Sequence, residues 1–125
     1  GVSADLAVLE LDPPILAEDA RAFATGRPGD DRLSIVSYRR GRAQVATIDG
    51  PCPALVEVGA MMALDCKVTY GISGAPVLAG DGGAARLVGV VSAMGEAFGR
   101  GVALTVLVEP ALPALLKALD AAPRE

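Results

Sequence analysis

The chain contains no histidine and no tryptophan, and only 3% of its 125 residues are aromatic. Without histidine, the usual general base at neutral pH is missing from these residues. Two cysteines are too few for a four-ligand zinc site. Nucleic-acid binding calls for a basic face with stacking rings. The net charge of −4 and the scarcity of aromatics argue against it. Arg39, Arg40 and Arg42 form the one basic cluster. No apolar run reaches bilayer length; the longest, 87–93, is interrupted by Gly89 and Ser92. The start carries no signal-peptide pattern, and Gly1 reads as an internal start. Carboxylate pairs such as Glu18-Asp19 and Asp30-Asp31 read as solvated loops, so no metal or organic cofactor is expected.

What is present is apolar and β-rich. Apolar residues make up 52% of the chain, enough for one domain with a real core. Residues 3–11 read as a strand buried on both sides, because Leu6, Ala7, Val8, Leu9 and Leu11 leave little polar face. Asp12-Pro13-Pro14 stops it, and residues 15–24 fit a helical turn or an irregular surface segment. After a loop at 26–31, short strands are expected at 33–38, 43–48, 54–58, 61–66, 76–79, 86–93 and 102–108. Arg40-Gly41 suggests a tight hairpin between the first two. Residues 110–121 are expected to be helical: Pro110 suits a first turn, and Leu112, Leu115, Leu116 and Leu119 share one face. The pattern predicts an all-β fold, a six-stranded antiparallel barrel over roughly residues 30–108 closed by a C-terminal α-helix. Cys52 and Cys66 either pair, closing a short loop worth about 3 kcal/mol, or sit as buried free thiols.

The chemistry is concentrated in Thr69-Tyr70-Gly71-Ile72-Ser73-Gly74-Ala75-Pro76-Val77. A serine hydroxyl needs a base to take its proton and donors to hold the oxyanion that forms. Gly71 has no side chain to obstruct an oxyanion and tolerates the positive φ that aims its N–H inward. By itself, Gly-Ile-Ser-Gly is equally an ordinary turn. The second candidate is Asp5, at the head of Asp5-Leu6-Ala7-Val8-Leu9-Glu10-Leu11.

Together these segments resemble the aspartate and serine motifs of a trypsin-like (chymotrypsin-fold) serine peptidase of the bacterial extracellular type. Thr69–Val77 is similar to the signature in which Gly-x-Ser-Gly-Gly-Pro leads into a strand, with Ala75 in place of the second glycine. Residues 87–92 resemble the segment that runs beside bound substrate, and residues 101–106 resemble the Gly-Val strand that follows. Asp before Ser agrees with the family's order, in which the histidine comes first. The resemblance spans essentially the whole chain, and within the family its flavour is that of the glutamyl-endopeptidase branch.

The resemblance implies roles. Ser73 attacks the scissile carbonyl, Asp5 orients a histidine outside this chain, and the Gly71 and Ser73 N–H groups form the oxyanion hole. Ser92 resembles the serine that hydrogen-bonds the aspartate, although a solvated strand-end hydroxyl is an equal reading. Ser92, Ala93, Met94 and Gly101 fall on the substrate-binding segments, and Met94 sits where a small residue often opens the pocket. Lys67 and Val68 fall near the floor of the primary specificity pocket, where a cation favours acidic side chains; the alternative is a solvent-facing lysine. Ile72 replaces the family's aspartate that pairs with a newly freed N-terminus, so that activation is not available. A secreted or periplasmic location favours a Cys52–Cys66 disulfide.

The family's fold is two barrels with the active site between them. On that basis residues 1–12 are the last strand of a first barrel, 13–29 the inter-barrel connection, and 30–125 the second barrel with its helix. A companion polypeptide carrying the first barrel, or a self-paired dimer, is the expected partner, because the strand after Asp5 otherwise leaves an unpaired apolar edge. The expected activity is endopeptidase hydrolysis of a polypeptide, nearly absent in this chain alone. The alternative is a non-catalytic, peptidase-like domain that binds peptides or proteins.

Overall fold

The computed structural model describes residues 5–29, 32–38, 45–66, 72–97 and 99–123. They form eight strands and one α-helix: β1 (Ala24–Thr25), β2 (Leu33–Tyr38), β3 (Ala46–Asp49), β4 (Ala54–Val58), β5 (Met61–Leu64), β6 (Pro76–Ala79), β7 (Arg86–Ala97), β8 (Arg100–Leu107) and α1 (Val108–Ala121). The strands make one sheet in the order β3-β2-β6-β7-β8-β5-β4, antiparallel throughout, with β1 added to β7 in parallel.

Alternation builds the core. In β2, Leu33, Ile35 and Ser37 are buried while Ser34 and Val36 are half-covered, the period of two that a half-buried strand requires. Ile35, Leu64, Val77, Val88 and Ala103 have no solvent exposure and belong to one cluster with Val91, Leu107 and the two cysteines. The pairing of β7 with β8 is the longest in the sheet, running from Gly89↔Leu107 to Ala97↔Arg100. Gly89 permits close approach here: a Cβ at this position would collide with Thr105 Cγ2 and lie 3.0 Å from the Val106 carbonyl oxygen.

The sheet differs from a closed six-stranded barrel. Its end strands, β3 and β4, are not paired with each other among the described residues. They are consecutive in the chain, joined through Gly50-Pro51-Cys52-Pro53. Both prolines lack the N–H that a ladder needs. Of this segment, Cys52 N–H donates to the Leu33 carbonyl at 2.8 Å and thereby extends the β2 side of the sheet.

Other departures are local. Residues 5–11 are not a paired strand: Leu6 and Val8 are half-buried, but Leu9 is 81% exposed. An apolar run becomes a strand only where a neighbour supplies the ladder, and the described chain supplies none. Residues 24–25, read as irregular, pair with β7, and Arg86 secures the following loop by donating to the Arg27 carbonyl. β3 runs over Ala46–Asp49, and residues 43 and 44, with the hairpin at Arg40-Gly41, lie outside the described residues. β7 continues four residues beyond the expected 93.

The helix begins two residues before Pro110, which still falls in the first turn, where backbone N–H groups have no intrahelical partner. Glu109, also in that turn, pairs with Arg27 at 3.1 Å on the exposed surface. Leu112, Leu115 and Leu119 are half-buried, whereas Leu116 is exposed. Among the described residues, no helix is long and apolar enough to cross a membrane.

Cys52 and Cys66 form a disulfide that ties the approach to β4 to the second residue after β5, across 14 positions. Both are buried. Replacing both by serine is expected to lower unfolding free energy by about 3 kcal/mol, the loop-entropy value for a closure of this length. Urea unfolding of the double variant checks it; an unchanged midpoint contradicts it.

Candidate functional site

Ser73 occupies the tip of a tight turn. The Ala75 N–H donates to the Ile72 carbonyl at 2.9 Å, closing residues 72–75. Gly74 has φ of +90°, the positive value that a type II turn demands at its third position. Ile72 and Ala75 are buried and anchor the turn, leaving Ser73 and Gly74 exposed between them. Burial of both ends of the turn leaves the Ser73 side chain exposed at its tip.

β7 clamps this turn. The Gly74 N–H donates to the Val91 carbonyl at 2.7 Å, and the Val91 N–H donates to the Ala75 carbonyl at 2.9 Å. Immediately afterwards the β7–β8 register shifts between Val91 and Ala93, so Ser92 is the extra residue of a β-bulge. Bulges turn a side chain away from its regular direction and are common beside active sites.

Ser92 makes two contacts. Its carbonyl accepts a hydrogen bond from Ser73 Oγ at 3.0 Å. Its own hydroxyl donates to Asp5 Oδ2 at 2.6 Å, the short distance typical of a hydroxyl on a carboxylate. One residue thus gathers a carboxylate and a serine hydroxyl that lie 68 positions apart in sequence (73 − 5). The arrangement orients Ser73 without activating it. A peptide carbonyl accepts a hydrogen bond but is far too weak a base to remove a hydroxyl proton, so nucleophilic chemistry needs a further base beside Asp5 and Ser73.

The remaining candidate residues divide. Ala93 is half-buried and Met94 is 39% exposed, both on β7 just past the bulge. Gly101 is exposed and pairs with Glu96, four positions beyond Ser92, or about 13 Å along the strand. Lys67, Val68 and Gly71 lie outside the described residues. Reasoning from sequence did not identify a hollow of about 340 Å3 on the other side of Ser73, lined by the end of β2 (Val36, Ser37, Tyr38) and by residues 72–76. The available signal was Tyr38, one of two tyrosines in an aromatic-poor chain. A larger cavity, of about 490 Å3, lies at Arg21–Ala24 and Gly82–Ala85 and includes neither Ser73 nor Asp5.

No family model, no curated protein and no solved structure matches this chain. The trypsin-like resemblance is accordingly an expectation drawn from the quoted motifs.

Gly74 gives a local test of this geometry. A Cβ there meets nothing within 4 Å, so Gly74→Ala adds no clash and isolates the cost of the positive φ. That substitution is expected to destabilise the protein by about 1–3 kcal/mol. Chemical denaturation measures it, and a variant as stable as the parent contradicts the turn described here.

Proposed function

We propose that Ser73 is the nucleophile of a serine endopeptidase of the trypsin-like kind, with Asp5 as the triad carboxylate and the histidine supplied from outside this chain. The observation that carries the proposal is Ser92, which holds Asp5 through its hydroxyl and Ser73 through its carbonyl. An imidazole placed between Asp5 and Ser73 would take the serine proton as the hydroxyl attacks the scissile carbonyl, then return it to the leaving amine. Asp5 would fix the ring's tautomer and stabilise the imidazolium. The N–H groups of Gly71 and Ser73 would receive the oxyanion.

The shape of β7 favours a peptide substrate. Strand β6 pairs with β7 only as far as Val90, while β7 continues to Ala97. Beyond the clamp at Val91, the β6 side of β7 carries no strand among the described residues. An extended peptide could add there by main-chain hydrogen bonding, with Ala93 and Met94 beside it and Gly101 farther along. Lys67 and Val68 would shape the pocket for the residue at the cleaved bond.

In this reading the open sheet with its helix is the second barrel of a two-barrel enzyme, and residues 1–12 belong to the first. Exposure of Leu9 and Leu11 supports a covering polypeptide, either a companion first barrel or a second copy of the chain. The disulfide supports a secreted or periplasmic location. A second reading, a non-catalytic peptide-binding domain, draws on the absence of histidine and on the Ser73 hydroxyl resting against a carbonyl.

Peptide hydrolysis by the protein assembled with a histidine-bearing first barrel separates the two. Ser73→Ala is expected to abolish turnover, and Asp5→Asn to reduce it by about 10⁴-fold. Turnover unchanged in Ser73→Ala contradicts the proposal. Peptide binding without turnover favours the second reading.

A further inference from the structure

Ser73 has two unlike flanks. Its turn leads directly into β6, which lies between β2 and β7. On the β7 side are the polar groups, Ser92 and Asp5. On the β2 side is the 340 Å3 hollow, lined by Val36, Tyr38, Ile72, Ala75 and Pro76 together with Ser37 and Gly74. Tyr38 is 63% exposed and forms an aromatic wall. Among the described residues no charged side chain lines the hollow, and its volume is at the lower end of small-ligand pockets.

We infer that this hollow is a second specificity subsite, which takes an apolar side chain from the substrate. This rests on the reading of Ser73 as the residue that faces the substrate peptide. A peptide with its reacting carbonyl at Ser73 and one half laid along β7 must carry its other half away from β7, toward β2. The first side chain on that half arrives over Tyr38 and Pro76. A leucine-sized group there leaves water for an uncharged wall. An aspartate would lose hydration with no cation among the described lining residues to receive it. Tyr38 is the specificity-determining residue, since its ring is the one large exposed side chain among the described lining residues.

The test is binding to the chain itself. Blocked six-residue peptides built on alanine, with one leucine stepped through each position, are titrated while the amide NMR signals of Val36, Ser37, Gly74 and Ala75 are followed. A parallel set carries aspartate instead. One leucine position is expected to shift these signals and to bind at least about tenfold more tightly than its aspartate counterpart, the discrimination typical of an apolar pocket. Tyr38→Asp is expected to erase that preference; because Tyr38 is largely exposed, the substitution leaves the core intact. Equal affinities, shifts confined to other residues, or a preference unchanged in Tyr38→Asp overturn the subsite. Reactivity of Ser73 is read separately by hydrolysis in the assembled protein. Hydrolysis without the preference overturns the subsite and leaves the peptidase. The preference without hydrolysis keeps the subsite as a peptide-binding hollow and overturns the peptidase.

Discussion

The site depends on one irregularity, the bulge at Ser92. Up to Val91, the ladder of β7 with β8 is unbroken, and the other edge of β7 is held to the serine turn. In a regular strand the next residue would continue the alternation and meet only one face of the sheet. The extra residue breaks that rule. It lets the Ser92 carbonyl reach Ser73 while its hydroxyl reaches Asp5. The turn, the strand and the N-terminal segment are otherwise separate parts of the chain, and Ser92 makes them one site.

The same geometry explains what the chain lacks. Asp5 and Ser73 are positioned but not chemically linked, because the group between them is a serine and its carbonyl rather than a titrating base. The scaffold is built to orient: buried Ile72 and Ala75 on either side of the serine, a positive-φ glycine after it, and two main-chain bonds to β7. In the proposed reading this is the preorganisation that transition-state stabilisation requires. On the same reading, the proton acceptor comes from outside this chain. Leu9, Leu11, Ile15, Leu16 and Phe23 are exposed, and in the proposed reading a covering polypeptide would bury them.

Much of the sheet was legible in the sequence because local signals were strong. Alternation in Leu33–Tyr38, glycine and proline around the strands, and the leucine spacing in α1 each constrain structure over a few residues. A turn at Ser73 was legible from its flanking glycines, although the positive φ was expected at Gly71, which lies outside the described residues, and is found at Gly74. Three features were not. Residues 5–11 look like a strand by composition, but pairing depends on a neighbour and not on the run itself. β1 is two exposed residues without a pattern, held by the length of β7. The hollow joins Tyr38 to Pro76 across β2 and β6, and no window of sequence contains both walls. Barrel closure was over-read, because the count of strands does not reveal that Pro51 and Pro53 interrupt the ladder between the two ends.

The most direct test of Ser73 as an activated nucleophile is covalent. The protein, isolated with any polypeptide that accompanies it, is treated with a fluorophosphonate and its intact and peptide masses are recorded. The account predicts a single adduct on the peptide containing Ser73, in a sample that also holds a histidine-bearing polypeptide. An adduct on another serine, or no adduct in such an assembled sample, would contradict it.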